Sequence, residues 1–153
     1  VSDVLQALLV TAVASGAGFV WLSLRTLQLD TNAPNRLIAE LRLAQIGALL
    51  LAFVAGAYIG FAGIANATAG GGGLDIALAL GFFVVAASAP TRDPREALII
   101  LAIAFVAHAV VDILHRPGVL SVGIVPQWYL IGCAVYNIAI GALCYLPVLR
   151  RRS

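Results

Sequence analysis

The sequence predicts an all-α integral membrane protein, a bundle of five transmembrane helices with the N-terminus outside and the C-terminus cytoplasmic. Three observations carry that prediction. Apolar residues make up 62% of the 153-residue chain and charged residues 10%, with a mean hydropathy of +1.04; soluble domains carry about a quarter charged residues. The apolar residues form five runs separated by polar or glycine-rich breaks, and a helix needs about 20 residues to cross a hydrocarbon core of ~30 Å. Five spans consume most of the length, so 1-153 reads as a single transmembrane domain. The third observation is charge placement. Arg25, Arg36, Arg42, Arg92, Arg95 and Arg150 to Arg152 fall on one side of a five-span topology and Arg116 alone on the other. Cytoplasmic flanks collect basic residues, and this asymmetry sets the orientation.

The first helix covers about 4-24. Asp3 precedes it and Arg25 follows it, the reverse of a secretory signal peptide, so the segment reads as a retained span. Ala7, Thr11, Ala14, Ser15 and Gly18 form a stripe of small residues suited to close helix packing. The only extended polar stretch, Leu27 to Arg42, leads into the second helix, about 35-66. Asn32 is its expected cap, with Pro34 in the first turn. Gln45, Ala48, Ala52, Gly56, Gly60 and Gly63 share one face of that helix, and Gly56-x-x-x-Gly60 has the spacing used in helix packing or in contact between copies of a homo-oligomer.

Ala67 to Gly73 contains four consecutive glycines and reads as a flexible connection. It lacks the preceding strand and the Gly-Lys-Ser/Thr of a phosphate-binding loop. The third helix, about 74-90, begins with Asp75, whose carboxylate suits a helix N-terminus. Asp93, Pro94 and Glu96 have the spacing of a capping box opening the fourth helix, about 95-116. Pro117-Gly118 stops it. Pro126 then opens the fifth helix, about 127-147, with Trp128 and Tyr129 as an interfacial aromatic anchor.

Several chemistries are excluded. The chain contains no lysine, so Schiff-base cofactors are ruled out. Cys133 and Cys144 lie eleven residues apart in one helix, roughly 16 Å along its axis, too far for a disulfide. Haem with two histidine ligands would require a homodimer, because both histidines stand on one helix. No nucleic-acid partner is expected. An all-arginine basic complement fits a high-GC genome, and the expected location is a bacterial inner membrane.

The fourth helix carries the polar residues that such a membrane span tolerates only for a reason. At 100° per residue, His108, Asp112 and His115 fall on one stripe. With the orientation above, His115 and Asp75 come out at the external interface and His108 about 12 Å beneath Arg116. Tyr136 and Asn137 of the fifth helix reach about the same depth, and a short loop makes the two helices antiparallel neighbours. The expectation is an outward-facing polar pocket lined by His108, Asp112, His115, Tyr136 and Asn137, with Asp75 at its rim.

Four uses of such a pocket compete at this stage. His108, Asp112 and His115 offer nitrogen and oxygen ligands to zinc, copper or iron. The two histidines are two turns apart, so one ion would take Asp112 with only one of them. An Asp-His ladder could instead relay protons or bind a coupled cation for transport. A small-molecule or lipid ligand could be held by Tyr, Asn and His, extending to a membrane-embedded enzyme, metal-dependent or acid/base, with a lipid-soluble substrate. The bland alternative is a hydrogen-bonded pair that joins helices, with Arg116 neutralising Asp112 at i, i+4.

Overall fold

The computed structural model describes residues 3–64, 72–117, 119–120 and 123–150. Residues 65–71, which include Asn66 and two of the four consecutive glycines, lie outside the described residues, as do Gly118, Arg151 and Arg152. Five α-helices account for most of the rest: α1 (Asp3–Gln28), α2 (Pro34–Ile64), α3 (Gly73–Ser88), α4 (Pro94–Leu114) and α5 (Gln127–Arg150), with one 3-10 turn, Ala89–Thr91, after α3. All five segments are long and apolar enough to cross a membrane, counting α3 together with its 3-10 turn, and the described residues contain no strand.

Packing follows from which helices bury side chains. α2, α4 and α5 supply Leu43, Leu51, Leu98, Leu101, Phe105, Ile140 and Val148 to the core. α1 lies against α5 and α2 and buries only Phe19, Ser23 and Thr26. α3 lies against α2 and, less closely, α4. α4 and α5 make the most intimate contact. A Cβ placed on Gly141 would stand 3.2 Å from the Ala102 carbonyl oxygen and 3.3 Å from the Phe105 Cβ, so only glycine lets the two backbones approach this far.

Small residues elsewhere are used unevenly. A Cβ on Gly56 would meet the Phe83 ring of α3 at 3.5 Å, but Gly60 and Gly63 face no atom within 4 Å. In α1 the Thr11 and Ser15 hydroxyls donate back to carbonyls four residues earlier, and Gly18 faces open space.

Two helix starts differ from expectation in their capping groups. At α2 the turn is organised by Asp30, whose Oδ1 accepts from the Asn32 N–H at 2.9 Å and whose carbonyl accepts from Ala33. At α4 Asp93 does cap, accepting from Arg95 N–H at 3.0 Å. Glu96 turns instead to the Arg92 guanidinium at 3.5 Å, an exposed i, i+4 pair.

α5 runs three residues past Pro147, where the sequence suggests a stop. A proline inside a helix leaves the carbonyl four residues earlier without its N–H partner. Here that carbonyl is Leu143's, and the Ser23 hydroxyl of α1 donates to it at 2.9 Å. The Pro147 carbonyl in turn accepts from Arg36 Nη2 at 3.0 Å. Arg36 is fully buried; its Nε donates to Glu40 at 2.9 Å and its Nη1 to the Leu29 carbonyl at 3.0 Å. One guanidinium thereby ties the ends of α1 and α5 to the start of α2, and its charge is matched by the neighbouring carboxylate.

Candidate functional site

The polar cluster lies toward the end of the bundle at which α2 and α4 finish and α3 and α5 begin, termed the distal end. Helix periodicity builds it from pairs one turn apart: His108 and Asp112 on α4, Cys133 and Asn137 on α5. Tyr58 of α2 closes the third side. Asn137, His108 and Asp112 are 0%, 2% and 3% exposed, so the cluster is buried among helices, and Asp112 also lines a groove between α4 and α5 that reaches His115 and Arg116.

The geometry centres on one atom. Asn137 Nδ2 lies 3.0 Å from His108 Nδ1, 3.1 Å from Asp112 Oδ2 and 3.2 Å from Cys133 Sγ. An amide nitrogen has two hydrogens, and three lone-pair atoms surround it. His108 Nδ1 and Asp112 Oδ2 also face each other at 3.4 Å. If the imidazole proton is on Nε2, both atoms present lone pairs; if it is on Nδ1, it opposes the amide hydrogens. Turning the amide over would set its oxygen against the carboxylate. With the imidazole proton on Nε2, the two amide hydrogens can be shared between His108 Nδ1 and Asp112 Oδ2. Asn137 Oδ1, meanwhile, is buried and has no partner among the described residues, a costly state for a polar atom. The other carboxylate oxygen, Asp112 Oδ1, accepts a hydrogen bond from Tyr58. Rings enclose the imidazole: Phe82 of α3 at 4.6 Å and Tyr58 edge-on at 5.2 Å between centroids.

No protein-family model, no curated protein and no solved structure matches this chain. Its chemistry is therefore read from its own atoms. His108, Asp112 and Cys133 each direct one ligand atom into a common space, all within 4.8 Å of one another. Nitrogen, oxygen and sulfur together form a donor set suited to zinc and related transition metals. Tetrahedral coordination at 2.0–2.3 Å needs ligand separations of about 3.5 Å, a contraction of the order of 1 Å.

The other sequence-derived candidates divide. His115 does not join the cluster. Its Nε2 meets Asp75 Oδ1 at 3.0 Å and its Nδ1 meets the Val111 carbonyl at 2.8 Å. A carbonyl only accepts, so Nδ1 carries a proton and Nε2 faces the carboxylate. Asp75 is thus a buried partner of His115 rather than an exposed rim. The Tyr58 ring lies between the two groups, 5.2 Å from His108 and 5.4 Å from His115.

Tyr136 differs most from expectation. Depth places it beside Asn137, but adjacent helical residues point 100° apart. Asn137 turns toward α4, and the Tyr136 hydroxyl meets Ser15 of α1 at 2.9 Å. Arg116 likewise leaves Asp112 alone: it is exposed, and among the described residues no carboxylate pairs with it. Two contributors are not among the sequence-derived candidates: Cys133, which the sequence shows only as unable to pair with Cys144, and Tyr58. Depth arithmetic could have found Tyr58, because between Gln45 and Asn66 it is the only side chain on α2 that can form a hydrogen bond.

Proposed function

We propose that this is a multi-pass membrane protein, its N-terminus outside a bacterial inner membrane, which binds one divalent transition-metal ion of the zinc class between α4 and α5. The observation that carries this is the cluster of three buried ligand atoms, from His108, Asp112 and Cys133, all within 4.8 Å of one another, beside an amide oxygen, Asn137 Oδ1, that has no partner among the described residues. A cation held among these three atoms would displace the Asn137 amide nitrogen, and the amide, turned over, would offer its oxygen as a fourth ligand. Charge supports the same reading. A dication with one thiolate, one carboxylate and a neutral imidazole sums to zero, which low-dielectric surroundings favour. Tyr58 would hold the carboxylate in orientation, the usual task of a group hydrogen-bonded to a ligand.

The test is elemental analysis of protein purified in detergent without added chelator, followed by cobalt substitution. One equivalent of metal and a thiolate-to-cobalt absorption band lost in Cys133→Ser are expected. Absence of metal together with no cobalt band in the wild-type protein overturns the proposal. Uptake into proteoliposomes then separates a transported ion from a resident one.

A second reading, a membrane-embedded enzyme acting on a lipid-soluble substrate, is favoured by one observation. An apolar cleft of about 160 Å³ between α1, α2 and α5, lined by Leu8, Phe53, Val54 and Tyr136 among others, ends on Cys133 and Tyr129. It is comparable with the ~150 Å³ apolar cavity known to admit benzene. An apolar substrate in that cleft would lie against Cys133.

A further inference from the structure

A second groove runs along the α4–α5 seam, and its chemistry is graded from end to end. At the distal end it is lined by His115, Arg116 and Gln127, with the buried Asp112 reached beneath them; farther along, its lining is apolar, from Ile113 and Leu130 to Ile138. Leu130 and Ala134 are buried and form the floor, while Ile113, Ile131, Val135 and Ile138 stand exposed as its banks. The groove encloses about 380 Å³.

We propose that this groove seats one anionic phospholipid, with the phosphate at Arg116 and Gln127 and an acyl chain along α5 to Ile138. Two observations choose this occupant. Arg116 is exposed at the mouth, and among the described residues no carboxylate pairs with it; an arginine is a strong phosphate ligand. The dimensions also match. From Gln127 to Ile138 is about 16 Å at 1.5 Å per residue, against about 15 Å for one leaflet of a ~30 Å hydrocarbon core. A soluble anion has no use for the apolar length, and a partner helix has none for an unpaired arginine at one end. The inference rests on the helices being membrane spans; the groove shares Asp112 with the candidate metal site, but the proposed phosphate contacts are Arg116 and Gln127.

The experiment is native mass spectrometry of the full chain released from nanodiscs of equal phosphatidylglycerol and phosphatidylcholine. The wild-type protein is expected to retain one phosphatidylglycerol, with a preference of about fivefold, the size expected from one basic residue at an anionic lipid surface. Arg116→Gln should abolish the preference and Arg116→Lys restore most of it. Ala134→Phe, filling the floor, should abolish retention of either lipid. Arg42→Gln, an exposed arginine near the opposite end of the bundle, should change nothing. Equal retention of both lipids by the wild type, or an equal loss in Arg42→Gln, overturns the groove. Failure of the wild-type chain to enter nanodiscs overturns the membrane reading itself.

Discussion

The Tyr58 hydroxyl donates its hydrogen bond to Asp112 Oδ1 and so couples α2 to a carboxylate whose other oxygen belongs to the cluster. Tyr58→Phe removes that donor and keeps the ring that lies between His108 and His115. It is expected to destabilise the protein by about 1–3 kcal/mol, the cost of an unsatisfied buried acceptor. Metal affinity should fall about 10–100-fold, as when a group orienting a ligand is lost. Thermal unfolding in detergent and a competitive zinc titration check the two effects separately.

The two histidines should separate cleanly in metal content. His108→Ala removes a ligand and is expected to abolish stoichiometric metal. His115→Ala leaves the cluster intact and should retain metal at the wild-type level, with its effect confined to stability through the lost Asp75 contact. Elemental analysis of both variants decides this, and equal loss in both would contradict the geometry.

Pro147 and Ser23 should be coupled. Ser23→Ala leaves the Leu143 carbonyl without a donor, at a cost of about 1–3 kcal/mol. In a Pro147→Ala background the new backbone N–H supplies that bond, so the same serine substitution should cost less than about 0.5 kcal/mol. A double-mutant cycle in detergent measures the difference.

Gly141 and Gly60 are expected to respond oppositely to a methyl group. Gly141→Ala drives a Cβ to 3.2 Å from the Ala102 carbonyl and should cost about 1–3 kcal/mol by overpacking. Gly60→Ala meets nothing within 4 Å and should be neutral or slightly stabilising, since alanine is the better helix former. Melting temperatures of the two variants in the same detergent test this.

Helix number and the approximate extent of each helix were legible because hydropathy is a property of segments. The pairing of His108, Asp112 and Asn137 was legible from depth along antiparallel neighbours. Lateral direction was not. Depth alone could not separate Tyr136 from Asn137, which are adjacent in sequence yet face α1 and α4. Nor could α4 by itself announce that Tyr58 from α2 and Asp75 from α3 would take up Asp112 and His115, because those partners are fixed by which helices become neighbours. The passage of α5 beyond Pro147 was hidden for the same reason: its cause is a hydroxyl on α1.

Arg36 also bears on the order of events during synthesis. Its bond to the Pro147 carbonyl joins residues 111 positions apart, whereas Glu40 and Leu29 are close in sequence and are made earlier or almost at once. The Glu40 and Leu29 contacts need only α2 and the end of α1, whereas the third acceptor comes from α5. A chain ending before Pro147 would leave Arg36 Nη2 without that carbonyl and lose the tie between α5 and the base of α2.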